Sequence, residues 1–351
     1  MFAIITMPQL GKVVRIERND LYGKHGMHRL FTFLLFTMAS GCSLVFAETL
    51  TFALVAKSTS DPNFVLAWEA CHRAAQRDGN RCELLGEAGI ANAHLQAKAI
   101  EDALASQKYA ALAVSVTQSE FVASALAQAN IPVVTFDSPF NDTEFDAAPT
   151  YVGVNNYLFG RDLGMMARWL RPHAGTLCIM SVEHDPNLQQ RVEGIRRALS
   201  GDPERSSDLP LDSEQGWTEA DRCPLLSAGS SADALTQLRG ILQNIRPDVL
   251  ISVGHWPVIN ERGFRTLLEE NNLRTGTSGP GIIVGVGGIT SSYRELLTEG
   301  LLSGIVSIDF DEIGAKTYQQ MNAIVKGKSV EPSVYTNSIF IPPQARAHPD
   351  E

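Results

Sequence analysis

The chain is expected to be an α/β protein of two doubly wound, parallel-sheet lobes of Rossmann-like build. Three observations carry that expectation. Short apolar runs without polar alternation recur along the sequence, as strands buried on both faces require. Amphipathic stretches of helical length separate them. The alternation also runs through twice, from about residue 51 to 153 and again from about 175 to 308. With 351 residues there is enough chain for two cores.

The first unit, Thr51 to Asp78, sets the pattern. Phe52–Ala56 reads as a strand, Lys57 to Asp61 as a polar crossover, and the segment behind Pro62 as a helix. Asp61 suits the N-cap and Pro62 the first helical position. Such a helix opens its N-terminus at the carboxyl end of the strand, where ligands bind in open α/β sheets. Strand CELLG from Cys82, helix 93–106, strand 110–114, helix 119–129 and strand 131–136 complete the first alternation, and the strand ends at Asp137-Ser138. Tyr151-Val152-Gly153 adds a strand, and Asn155-Asn156 cap a helix over 157–170. The second alternation predicts strand 175–182, helix 188–199, helix 232–245, strand 248–253, helix 258–270, strand 281–286, helix 293–299 and strand 304–308. A helix over 312–325 and a single strand over 335–341 close the chain. Residues 201–223, rich in Ser, Asp and Pro, read as a surface loop with one weak strand.

His28-Arg29, the apolar run LFTFLLFTM and Val45-Phe46-Ala47 before Glu48 have the form of a signal peptide over residues 27–47 cleaved after Ala47. A second reading takes Ala39-Ser40-Gly41-Cys42 as a lipobox with Cys42 lipidated. Residues 1–26 are mixed and aperiodic, an extension ahead of a start at Met27. Removing the five basic and two acidic side chains of residues 1–47 from 29 and 39 leaves 24 against 37, a net charge of −13. That balance argues against a nucleic-acid partner, which needs a basic footprint. Four cysteines remain, and an even count in an exported chain points to two disulfides, Cys71 with Cys82 and Cys178 with Cys223. Four buried free thiols are the alternative. No spacing suggests a metal site or cofactor. HExxH, GxSxG, CxxC and P-loop motifs are missing, so nothing in the sequence supports an enzyme.

Five segments, FALVAKSTSDPNF, ANIPVVTFDSP, YVGVNNYLFGRDLG, QQRVEGIRRAL and GLLSGIVSIDFDEIGAK, stand in the order and spacing of one family. Over about residues 50–345 the chain resembles the type I periplasmic sugar-binding proteins, the ribose- and galactose-binding group that serves bacterial ABC transporters. LacI-type repressors share the fold but carry a helix-turn-helix where this chain has its signal segment. The resemblance implies two lobes joined by a three-strand hinge. Residues 48–153 with 309–332 would form one lobe and 154–308 with 333–351 the other, with crossings near Gly153, Ile308 and Glu331. It also implies a monomeric periplasmic receptor that closes on a monosaccharide or polyol for a permease, or else docks on a chemoreceptor or histidine-kinase ectodomain.

Carried over residue by residue, the resemblance places Asp137 as the sugar-binding carboxylate, followed by Ser138 where arginine is usual. It places Asn63 and Phe64 on the ligand face of the first helix and Arg191 as the guanidinium from the second lobe. Lys57 and Asp61 stand at the first strand tip, and Asn155 is a cap within reach of the cleft. His255 and Trp256 follow a second-lobe strand, and Asp309 lies at a crossing. Gly285-Val286-Gly287-Gly288 departs from the pattern, because relatives carry an aromatic and an aspartate where Val286 and Gly287 stand. That departure argues against ribose bound in the standard way.

Overall fold

The computed structural model describes residues 49–342, apart from 142–147, 207, 228, 272 and 274–278. The signal segment, Cys42 and the C-terminal tail lie outside these residues. The first alternation forms β1 (Thr51–Val55), α1 (Pro62–Arg77), β2 (Arg81–Leu85), α2 (Ala93–Ala105), β3 (Ala111–Val114), α3 (Ser119–Leu126), β4 (Val133–Phe136) and β5 (Tyr151–Gly153). Its sheet has the order β2-β1-β3-β4-β5, extended past β5 by a late strand, and all its pairings are parallel. β1, β3 and β4 are buried almost throughout, which is why they read as unbroken apolar runs.

After β5 the chain enters α4 (Asn156–Leu170), β6 (Gly175–Val182) and α5 (Pro186–Ser200). The polar stretch then supplies two short strands, β7 (Asp212–Glu214) and β8 (Trp217–Glu219), where one weak strand was expected, and β9 (Leu225–Ser227) follows just past it. The expected helix 232–245 stops as α6 at Ser231–Gly240 and continues as a π-helical turn, Ile241–Ile245. β10 (Val249–Ser252) follows, and the expected helix 258–270 is two, α7 (Trp256–Ile259) and α8 (Glu261–Glu270). Asn260 breaks it by capping α8, its side chain accepting the Gly263 N–H at 3.0 Å. β11 (Gly281–Val286), α9 (Ser291–Thr298) and β12 (Gly304–Ile308) complete the second sheet's parallel core, β6-β10-β11-β12.

From β12 the chain returns through α10 (Phe310–Val325), which packs on α1 so closely that a Cβ on Gly314 would overlap the Ala67 carbonyl. The ending differs from the expectation. β13 (Ser333–Tyr335) pairs in parallel with β5 in the first sheet, and only β14 (Ser338–Ile341) joins the second, antiparallel to β12. The single strand 335–341 is therefore two strands in two sheets, and residues 333–335 belong with the first lobe rather than the second. The third passage between sheets lies at Thr336-Asn337, later than Glu331. An extended apolar run does not say which sheet it joins.

Both cysteine pairs are bonded, Cys71 with Cys82 and Cys178 with Cys223, at Cα separations of 5.9 and 5.3 Å. Closing sequence separations of 11 and 45 residues is worth about 3 and 4 kcal/mol respectively on the chain-entropy account.

Candidate functional site

The carboxyl ends of β1, β3 and β4 face those of β6, β10 and β11 across a cleft holding a cavity of about 430 Å³. Each side is built around a helix that opens with Asp-Pro-Asn, Asp61-Pro62-Asn63 on α1 and Asp185-Pro186-Asn187 on α5. Asp61 caps its helix, accepting the Asn63 N–H at 2.9 Å. Asp185 makes no such cap; its Oδ2 accepts from Lys57 Nζ at 2.6 Å and its Oδ1 is buried without a partner. Lys57 also donates to Asn187 Oδ1 at 3.3 Å and stands 4.0 Å from Asp137 Oδ2.

The reverse contact mirrors this one. His255, at the end of β10, meets the first lobe's Asp-Pro-Asn turn. Asn63 Nδ2 lies 2.8 Å from His255 Nδ1, and Asp61 Oδ2 lies 3.5 Å from His255 Nε2. With the amide donating, the imidazole proton sits on Nε2 and faces Asp61. Each turn thus takes a nitrogen-bearing side chain from the opposite lobe.

Asp137 and Arg191 form the floor. Asp137 adopts φ +60, a left-handed conformation that aspartate tolerates better than most residues. Its Oδ2 accepts the Ser115 hydroxyl at 2.8 Å. Burial pushes its carboxyl above the usual carboxylate range, and Lys57, Arg191 and Ser115 only partly offset that. Arg191 donates Nε to Asn156 Oδ1 at 2.9 Å and Nη1 to the Val253 carbonyl at 2.8 Å, with its guanidinium 4.5 Å from the Phe159 ring centre. None of these partners is charged. α4 and α5 bring the guanidinium there by close approach, since a Cβ on Gly160 would overlap the Arg191 carbonyl and one on Gly194 that of Tyr157. Tyr151 links the two floor residues. Its hydroxyl lies 3.0 Å from the Asp137 carbonyl and 2.8 Å from that of Val154, and it accepts from Asn156 Nδ2 at 3.1 Å.

Of the residues expected from the sequence, Lys57, Asp61, Asn63, Phe64, Asp137, Arg191, His255 and Trp256 line this cavity. Phe64 is chiefly core, meeting the Phe136 and Phe310 rings edge-on at 6.1 and 5.9 Å. Three residues lie elsewhere. Ser138 is fully buried off the cavity wall. Asn155 spends its side chain on the Leu158 N–H and Asp309 on the Glu312 N–H, each as a helix cap. Missed were Asp185, Asn187, Thr117, Gln118 and Ser230. The repeated Asp-Pro-Asn was the available signal for the first two.

Asp61 gives the site a measurable pH response. Burial would raise its carboxyl, but His255, the Asn63 N–H and Lys57 outweigh that and hold it below 3.8. A lowered folded value means that its stabilisation is present above the unfolded value and lost as pH falls through the folded one. Asp61→Asn keeps a good cap while removing the charge. Melting temperature followed from pH 7 to about 2.5 should therefore fall less steeply in acid for the variant than for the wild type; parallel curves would show that Asp61 is not held ionised by this contact.

A family described as periplasmic binding protein domain matches residues 52–329. No curated protein sequence matches the chain. Among solved structures it is similar to GanP, a glucose-galactose binding protein from Geobacillus stearothermophilus, with 19% identity and TM-score 0.70 over 84% of this chain and 98% of that one. A solute-binding protein of an Agrobacterium vitis ABC transporter, bound with α-D-tagatopyranose, gives 17% identity and TM-score 0.71 over 84% and 95%. The XylFII–LytSN complex gives 19% identity and TM-score 0.64 over 84% and 98%. Two lobes of parallel sheet, three passages between them and a family match across most of the described residues lead to one conclusion: the chain belongs to the periplasmic binding protein domain family, with the type I fold.

Proposed function

We propose that the protein is a non-catalytic periplasmic receptor that closes on a monosaccharide or polyol. The observation that carries this reading is the set of incompletely paired polar groups on both sides of one cavity. Asp185 Oδ1 has no partner, the Arg191 guanidinium has only neutral ones, and Asp137 is a buried carboxylate with its nearest cation 4.0 Å away. Carboxylate, guanidinium and amide groups converging on a partly apolar cavity suit a ring of hydroxyls with C–H faces. The sugars bound in similar structures agree with this. Ligand-binding roles go to Lys57, Asp61, Asn63, Asp137, Arg191, His255 and Trp256, joined by Asp185 and Asn187.

The monomer would deliver its ligand to an ABC-transporter permease. The similarity to XylFII in its complex with LytSN keeps a second reading in play, docking on a sensor ectodomain, and gene neighbours separate the two. A permease and ATPase gene beside this one favour transport, and a kinase gene favours sensing.

The deciding experiment is a thermal-shift screen of the mature protein against pentoses, hexoses and polyols. A ligand at 100 times its dissociation constant should add about 2.7 kcal/mol. Asp137→Asn, which tolerates the left-handed backbone better than alanine, should remove that gain and leave the ligand-free melting temperature equal or higher. Response only to amino acids or nucleosides would overturn the sugar assignment, and binding retained by Asp137→Asn would misplace the cleft.

A further inference from the structure

Gly287, just past β11, and Asn63, at the start of α1, belong to opposite lobes yet fit each other. A Cβ built on Gly287 would overlap Asn63 Oδ1 and come within 2.5 Å of its Cγ. The Asn63 side chain therefore occupies the space that any other residue at 287 would claim. Its Nδ2 meets His255 Nδ1 at 2.8 Å, its backbone N–H is held by the Asp61 cap at 2.9 Å, and Gly287 is fixed in turn by the Ser307 hydroxyl on its carbonyl. Both residues line the same cavity as Lys57, Asp137 and Arg191. With its backbone fixed by the cap and its amide hydrogen-bonded to His255, the side chain costs little further entropy to keep in place and acts as a wall.

We propose that Asn63 and Gly287 are a matched specificity pair, in which the Asn63 amide fills the gap left at position 287 and forms the end wall limiting how far a ligand extends toward the carboxyl end of β11. This rests on the reading of the cleft as the ligand site. The wall comes from the first lobe and its seat from the second, so the two positions constrain each other. Bulk at 287 must either push the Asn63 amide off its hydrogen bond to His255 or part the lobes, and reducing Asn63 relieves both. Removing Asn63 alone lengthens the space available to a ligand.

The test has two arms. In the first, small-angle scattering of the ligand-free protein compares wild type, Gly287→Leu and the double variant Asn63→Gly/Gly287→Leu. The single variant should show a larger radius of gyration and the double should return toward wild type. An unchanged radius in the single, or no recovery in the double, overturns the pairing whatever the ligand proves to be. Should circular dichroism show that Gly287→Leu does not fold, Gly287→Ala replaces it, since a Cβ alone meets Asn63. In the second arm, thermal shifts with erythritol, xylitol, D-galactose and maltose compare wild type with Asn63→Gly. The variant should gain at least tenfold in apparent affinity for the longest member bound; an identical ladder overturns the size-limiting role. No response from either protein to any of the four would count against the sugar reading, and the pairing would then be decided by scattering alone.

Discussion

Arg191→Met is expected to abolish the ligand-induced thermal shift while changing the ligand-free melting temperature little. Arg191 is 4% exposed and donates to the Asn156 amide and the Val253 carbonyl. Methionine keeps an apolar contact with Phe159 but leaves both acceptors without that donor, at about 1–3 kcal/mol each. Against this, the variant no longer takes a guanidinium out of water, which costs several kcal/mol. The two effects oppose each other in the ligand-free protein. Nothing opposes the loss in the complex, where removing a buried charged donor costs about 2–5 kcal/mol, roughly thirtyfold to several thousandfold in dissociation constant. A ligand that stabilised the wild type by about 2.7 kcal/mol would add only about 0.4 kcal/mol after a hundredfold weakening. Titration calorimetry with the sugar found in the screen checks this. A dissociation constant within tenfold of wild type would mean that the guanidinium does not reach the ligand.

The strands of both parallel cores were legible because burial on two faces leaves no polar alternation to confuse them, as in β3 and β10, buried at every position. Residues 201–223 were not, for a definite reason. Trp217 and Glu219 of β8 are buried, and Glu219 is neutralised by Arg196, whose Nε donates at 2.7 Å from 23 residues away on α5. A carboxylate in a polar stretch looks solvated until its distant partner is known. The exchange of sheets at Thr336-Asn337 was hidden in the same way, by pairing that lies outside the segment itself.

Within the site, the residues at strand tips were legible from topology, since ligands gather at the carboxyl ends of parallel strands. Caps were not separable from groups that line the cavity. Asn155, Asp309 and Asp185 all stand at helix starts, and only Asp185 turns its side chain away from its own helix to a cation on the other lobe. What distinguishes it is Lys57, 128 residues earlier. The absent acid at Gly287 was visible as a departure from the family pattern, but its meaning was not. Only the position of Asn63 shows that the space is filled from the opposite lobe.

Lys57→Met is expected to open the cleft. Lys57 is the cation between two carboxylates of different lobes, 2.6 Å from Asp185 and 4.0 Å from Asp137, with side chains only 9%, 11% and 6% exposed. Breaking a buried pair from one side costs about 3–5 kcal/mol when the remaining charge stays buried. Here the protein has an alternative, because separating the lobes returns Asp185 to water. The penalty therefore falls on the closed state and shifts the open-to-closed ratio by about a hundredfold or more. Scattering of the ligand-free variant should show a larger radius of gyration than wild type at unchanged helix content. Adding Asp185→Asn removes the stranded charge and should restore part of the closure, leaving Asp137 with only Arg191 and Ser115 to offset its burial. Burial already pushes the Asp137 carboxyl above the usual carboxylate range, so acidifying the double variant should close it further. A Lys57→Met protein as compact as wild type would show that the lobes are held together by their apolar contacts and by His255, with the ion pair incidental.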